Sequence, residues 1–432
     1  MSALDQPFAA PPGAGSRYRP LSIRWPYVRS GGVVLAATLV WHASNFGFNS
    51  VVARLLGPSG YSELAATVAL LYVASPVLVS IQTVTSRAST ALTVAGEEGA
   101  VRPMVRASTR RLALVAGLTS VGAAAVSPLI GDLLRLRSGI PVAVVAAGLS
   151  LSLVTHCQRG ALQGTGRFSR FAASTVVEGL AKVCGAAAIL LLANRSVEAA
   201  AAAIPFAAAC GLVANRTLLR GLPDSGAGLH AVAGPVERGS GSTLATFILL
   251  ALLLSADVFA ARHFLPGHEA GLYAAVSLCG KVAYFATSAI PVFLFPSFSA
   301  RRERGGDGRR LLAAGMAIVV AVCAAIAAGY TVAPRLVLDP LFGARYAGAA
   351  GYLGEIAIAF GAYAITYLSA TYLVACRSRA GAVILAAAAT AQVTSLLLAH
   401  SSVASIVHVQ MAVLGAAAVA TSMAAFLIGR DA

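Results

Sequence analysis

Lysine is all but missing from this chain of 432 residues: of its 32 basic side chains only Lys182 and Lys281 are lysines, and the acidic side chains number 16. Charged residues make up 11% of the whole, too few to coat a soluble enzyme of this length, so that class is excluded at the outset. Cysteine is sparse as well. Cys157, Cys184, Cys210, Cys279, Cys323 and Cys376 show neither metal-ligand spacing nor a disulfide framework, and all fall in or beside apolar runs, where they read as small packing residues. Paired carboxylates, a metal-ligand cluster and a nucleophile constellation are also wanting, which argues against an enzyme and against a resident cofactor or metal. The first 30 residues, rich in Pro, Gly and Arg, lack the short apolar core and cleavage site of a signal peptide. They are expected to form a disordered cytoplasmic tail.

What abounds is apolar. Hydrophobic residues reach 58% and the mean hydropathy is +0.80, the values of an integral membrane protein. A helix needs about 20 mostly apolar residues to cross the hydrocarbon. Twelve such runs are expected, at 31–53, 64–85, 112–131, 141–158, 171–193, 199–219, 242–262, 271–297, 311–331, 353–374, 381–399 and 405–428. With so little chain between them, an all-α polytopic fold is the natural way to satisfy the backbone in lipid.

The net charge of +16 would suggest nucleic acid in a soluble protein, but here the arginines sit mostly in short gaps between the apolar runs and read as topology signals. The tail, the even-numbered gaps and the C-terminus hold 23 arginines; the odd-numbered gaps hold seven, namely Arg54, Arg135, Arg137, Arg195, Arg262, Arg335 and Arg345. Basic residues are retained on the cytoplasmic side, so both termini are expected there, in a multi-pass protein of the cell membrane.

The chain also repeats itself. NSVVARLLGPSGYSELA from Asn49 returns loosely as DVFAARHFLPGHEAGLYA from Asp257. Arg54 and Arg262 stand 208 residues apart, and Tyr61 and Tyr273 stand 212 apart, as do Arg167 and Arg379. An even number of crossings separates the copies, which makes the repeat parallel, with its pseudo-twofold axis along the membrane normal. The expected organisation is a lobe of six helices over 31–220, a polar cytoplasmic linker over 221–240, and a second six-helix lobe over 241–432.

Substrate sites in repeat-built transporters lie between the repeats near mid-membrane, and an ionised residue at a helix centre costs about 2.5–3.5 kcal/mol on insertion scales, so buried charges are the first candidates. Both lysines lie inside apolar runs. Glu178 precedes Lys182 by four residues in the favourable order for a pair on one helix face, which leaves open a packing role or a cavity role for the two. Lys281 has no acidic partner on its own helix and is the stronger candidate for contact with an anion. Asp257 stands where the first copy has Asn49; binding a coupling cation, pairing with Lys281 and simple solvation near the outer surface all remain open for it. Pro76 in the second run, with Pro291 and Pro296 in the eighth, are candidate interruptions in corresponding helices. Arg87 and Arg167 are placed at the cytoplasmic mouth.

The segments ARLLGPSGY after the first run, RGALQGTGRF after the fourth, EGLAK in the fifth, ADVFAARHFLPGHEAGLYAA around the seventh and LFGARYAGAAGYL before the tenth resemble those of polysaccharide biosynthesis flippases of the O-antigen exporter type. That family belongs to the superfamily that also includes the multidrug and toxin extrusion exporters and the lipid II flippase. The resemblance spans nearly the whole chain from about residue 30. It implies two six-helix lobes around a cavity and the movement of an undecaprenyl-pyrophosphate-linked oligosaccharide from the inner to the outer leaflet. Twelve runs rather than fourteen set the chain apart from the lipid II branch.

On that footing the expected partners are an anionic lipid-linked oligosaccharide and membrane lipids, with a polysaccharide polymerase or glycosyltransferases as associated proteins and no nucleic acid. Pyrophosphate would be drawn by Arg87 and Arg167 and held deeper by Lys281 and Lys182. The coupling ion, proton or sodium, stays open. Two other classes remain: a cation-coupled multidrug exporter on the same scaffold, for which acidic cavity residues are expected, and a membrane-embedded polymerase or ligase, for which a long outer loop is expected.

Overall fold

The computed structural model describes residues 25–224, 240–303 and 306–428. Most of the expected tail and most of the expected linker therefore lie outside the described residues. The chain is helical nearly throughout: α1 Trp25–Val94, α2 Val101–Leu133, α3 Ile140–Gly164, α4 Phe168–Leu192, α5 Val197–Leu219, α6 Ser240–Phe264, α7 Gly267–Thr287, α8 Ala289–Glu303, α9 Arg309–Val332, α10 Pro334–Phe342, α11 Leu353–Ala375, α12 Ala380–Leu398 and α13 Val403–Ile428. Among the described residues eleven stretches are long and apolar enough to cross a membrane, and the first of them, Gly32–Val94, bends at Gly57 into two arms that each suffice for a crossing. The result is a multi-pass membrane protein of twelve crossings.

Two expected boundaries move. No ten-residue loop joins the first two crossings, because both arms of α1 run on to Gly57, whose φ of 70° is open to glycine and strained for other residues. Pro58 then opens the second arm, a position where its missing N–H leaves no hydrogen bond unmade. The third crossing begins well before its apolar core, since α2 starts at Val101 and carries Arg102, Arg106, Arg110 and Arg111 on its first three turns.

The same neighbour relations recur in the two halves. In the first, α1 packs on α3 and α4, α3 on α2 and α5, and α4 on α5; in the second, α7 packs on α11, α6 on α12, α11 on α9 and α13, and α12 on α13. Between the halves, α1 lies along α6 and α7, and these helices contribute a large share of the largest apolar core, with Phe48, Val52, Tyr61, Leu64, Leu253, Tyr273 and Val276 all buried. The repeat therefore places two charged clusters, one around Glu178 and one around Asp257, on either side of one central seam. The bend of α1 at Gly57 defines one end of the bundle, its kink end.

Close approach within the first half relies on small residues. A β-carbon on Gly160 would lie 2.4 Å from the Gln82 carbonyl oxygen, and one on Gly164 would lie 2.2 Å from that of Ser86. The GALQG segment is thus a small-xxx-small face that lets α3 touch the second arm of α1 backbone to backbone.

Candidate substrate path between the two halves

Lys182 sits on α4 and is buried, donating to Oδ1 of Asn45 on α1. Its ammonium also lies 5.4 Å from the Trp41 ring centre and 5.2 Å from that of Phe48, so two ring faces replace water around it. The expected pairing with Glu178 is not what the structure shows. Glu178 instead receives Nη2 of Arg159 from α3 at 2.6 Å, while Arg159 Nε donates to the Ser174 hydroxyl at 2.9 Å and Nη2 to the Ser174 carbonyl, also at 2.9 Å. The planar guanidinium satisfies a carboxylate and two further oxygens at once, which a lysine ammonium four residues along the same helix does not match. Arg159 and Glu178 are 3% and 5% exposed, so this is a desolvated pair. Gly211 of α5 makes the room: a β-carbon there would stand 2.7 Å from Glu178 Oε2. Two cations and one carboxylate leave this cluster with a net positive charge, and Trp41, whose ring centre is 5.9 Å from the Arg159 guanidinium carbon, joins them.

Arg159 is the residue that sequence reasoning assigned elsewhere, among the arginines of a cytoplasmic gap. The available signal was the continuing run GALQG after it, with two glycines and no helix breaker until Gly166, which places Arg159 inside α3 rather than beyond it.

In the second half, Tyr273, Ser277 and Lys281 follow one another at four-residue intervals along α7 and so share a face. They converge on Asp257 of α6, which is 0% exposed. Tyr273 and Ser277 donate to its Oδ2 at 3.0 and 2.5 Å, and the Lys281 ammonium stands 3.6 Å from Oδ1. Phe360 covers the ammonium with its ring centre at 5.3 Å. This cluster is electrically balanced. The first half repeats its frame without the charges: the Tyr61 hydroxyl donates to Asn49 Oδ1 at 3.3 Å, and Ala65 and Ala69 hold the places, 212 residues earlier, of Ser277 and Lys281.

Between the clusters the seam is lined by rings. His42 of α1 stacks on Phe285 of α7 with ring centres 4.8 Å apart, Tyr72 approaches Phe285 at 6.5 Å, and Tyr284 and Tyr367 extend the band at 5.3 Å.

The proline candidates divide. Pro76 interrupts nothing, since α1 stays helical through it, and the Tyr72 carbonyl that its missing N–H abandons accepts the Ser75 hydroxyl at 2.7 Å instead. Pro291 stands three residues after the break between α7 and α8 at Ser288. Pro296 lies within α8, and its side chain is outside what is described. Arg167 pairs with Glu98 at 3.0 Å, and Arg87 borders a surface recess with Ser86, Thr90 and Val94. Neither is part of the two buried clusters.

A bundle of twelve crossings in two like-packed halves, with charge buried on both sides of the seam, is an arrangement that many repeat-built membrane proteins share. The sequence matches no protein-family model and no curated protein. Solved structures do match in fold, and several of them are described as MATE family or MOP superfamily transporters. A multidrug resistance MATE family transporter in its inward-facing conformation is similar at a TM-score of 0.70 and 14% identity, over 92% of this chain and 97% of that one. Its outward-facing counterpart is similar at 0.65 and 11%, over 93% and 96%. A MOP superfamily transporter from Pyrococcus furiosus, described by the reverse polarity of its binding pocket, is similar at 0.60 and 12%, over 94% and 95%. The chain thus has the MATE-like fold along essentially its whole described length.

Proposed function

We propose that this protein is a transporter that moves a polyprenyl-pyrophosphate-linked oligosaccharide across the cell membrane by alternating access, with both termini and the arginine-rich ends of the helices in the cytoplasm. The observation that carries this reading is the excess of buried positive charge on one side of the seam, where Lys182 and Arg159 face Glu178 alone; on the other side Lys281 is balanced by Asp257. A pyrophosphate entering the seam meets cations already stripped of water, where attraction is several-fold stronger than in bulk solvent. The sugar hydroxyls need partners too, since each one buried unpaired costs a few kcal/mol. Asn45, Tyr72, Tyr284 and Tyr367 supply donors and acceptors along the route, and the polyprenyl tail stays in lipid. Arg87 and Arg167, nearer the cytoplasmic mouth, attract the anion first. The associated proteins on this reading are the glycosyltransferases that build the carrier-linked sugar and the polymerase that consumes it.

A second reading, a multidrug exporter, is favoured by one observation: Asp257 neutralises Lys281, so the second half presents no net positive charge. Reconstitution into liposomes separates the two. Translocation of a polyprenyl-pyrophosphate-linked glycan that is lost on Lys182→Met or Lys281→Ala, without drug resistance in cells, supports sugar export. Drug resistance without glycan translocation overturns it.

A further inference from the structure

The sequence repeats an arginine at the kink end of each half, Arg54 and Arg262, and the cargo path uses neither. In the structure each reaches across the seam into the opposite half. Arg54, on the first arm of α1, donates Nε to the Leu341 carbonyl and Nη2 to the Asp339 carbonyl, both at 3.1 Å, and also to the Pro340 carbonyl. These carbonyls belong to α10, between α9 and α11. Arg262, on α6, donates Nε to the Leu134 carbonyl at 3.1 Å, Nη1 to the Ser62 hydroxyl at 3.0 Å and Nη2 to the Arg135 carbonyl. Leu134 and Arg135 lie between α2 and α3. The exchange is therefore reciprocal: the arginine closing the first helix of each half grips the connection after the third helix of the other.

We infer that Arg54 and Arg262 form a paired clasp that holds the kink end of the transporter shut, and that opening to that side requires both to let go.

Two features make the clasp a releasable one. Its acceptors are mostly backbone carbonyls at the edge of the bundle, which water satisfies as soon as the seam parts. Glu63, 3% exposed and 3.6 Å from Arg262, also holds Arg137 of its own half at 3.4 Å. Departure of Arg262 thus leaves no buried carboxylate without a partner. The backbones meet here as well: a β-carbon on Gly271 at the start of α7 would stand 2.0 Å from the Pro58 carbonyl oxygen, and Tyr346 donates to the Ala53 carbonyl at 3.0 Å. The contact is tight, and Tyr346, buried in the core, has to part from Ala53 when the two arginines let go.

The test measures the gap at the kink end directly and needs no cargo. Nitroxide-bearing unnatural residues at Arg195 and Ser401, both exposed and on opposite halves, leave the native cysteines in place. In the liposome-reconstituted full chain, pulsed electron resonance is expected to give mainly short distances. Arg54→Gln and Arg262→Gln are each expected to raise the ratio of long to short distances by about tenfold, the effect of losing one charge-assisted hydrogen bond or more. The double variant is expected to go further. Ser62→Ala, which removes a single acceptor, is expected to shift the ratio less, and it serves if Arg262→Gln does not fold. Unchanged distances in folded Arg54→Gln and Ser62→Ala overturn the clasp. Because no cargo is present, failure of the sugar-export reading leaves this result untouched, and the reverse holds too.

Discussion

Asp257 and Lys281 face each other 3.6 Å apart in the second half, and the corresponding places in the first half hold Asn49 and Ala69. The first half keeps the tyrosine-to-α1 hydrogen bond that frames the site, so the helix packing itself does not depend on the two charges. A buried ion pair is seldom stabilising relative to neutral groups of similar size, while removing one member costs about 3–5 kcal/mol. On the proposed function, the pair carried in one half only serves transport rather than folding.

That argument predicts opposite outcomes for single and double variants. Lys281→Ala alone strands the Asp257 carboxylate and is expected to lose about 3–5 kcal/mol of stability. Asp257→Asn combined with Lys281→Ala recreates the arrangement of the first half, and its melting temperature in detergent is expected to return close to that of the wild type. Transport in liposomes is expected to be lost in the double variant all the same. A double variant that melts as low as the single one would make the pair structural.

In the first half the order of effects is set by partners. Glu178→Gln leaves Arg159 and Lys182 buried together without a counter-charge and is expected to cost about 3 kcal/mol or more. Lys182→Met removes a cation held by an amide and two rings, interactions worth about 1–2 kcal/mol, while keeping its hydrophobic stem. Thermal melts should therefore rank Glu178→Gln well below Lys182→Met. Glycan translocation should fall in both.

The span count was legible because runs of about 20 apolar residues have few other uses. The repeat was legible from Arg54, Arg262, Tyr61 and Tyr273. What the sequence hid were partners chosen in three dimensions. Glu178 and Lys182 have the spacing of a helix pair worth a few tenths of a kcal/mol, and a guanidinium from another helix outbids it. Pro76 looked like an interruption, and Ser75 repairs it. The bend at Gly57 looked like a loop, because a glycine and a proline together mark a break without stating its length.

The α3 contact with the second arm of α1 depends on Gly160 and Gly164 having no side chain. Gly164→Val would place a branched side chain where even a β-carbon falls 2.2 Å from the Ser86 oxygen, a clash with backbone rather than with a flexible tip. Overpacking of this kind costs about 1–3 kcal/mol where the helices can shift, and more where they cannot. Low yield of membrane-inserted, monodisperse protein is the expected result. Gly122→Val, where open space surrounds the glycine, serves as the control and should insert normally.

Arg135 offers the converse test, a change expected to stabilise. It adopts a φ of 49°, in the left-handed region that costs a non-glycine residue about 1–2 kcal/mol, and it does so between α2 and α3 with its carbonyl turned to Arg262. The matching connection of the second half also has a residue at positive φ, and there it is a glycine, Gly343, whose φ is 89°. Arg135→Gly keeps the carbonyl as acceptor and removes the steric cost, offset in part by the greater freedom glycine has when unfolded. The variant is expected to melt at or slightly above the wild-type temperature and to leave the kink-end distances unchanged, because the clasp grips the backbone there and not the side chain. A loss of more than about 1 kcal/mol would mean that the Arg135 side chain, and not only its carbonyl, holds that connection in place.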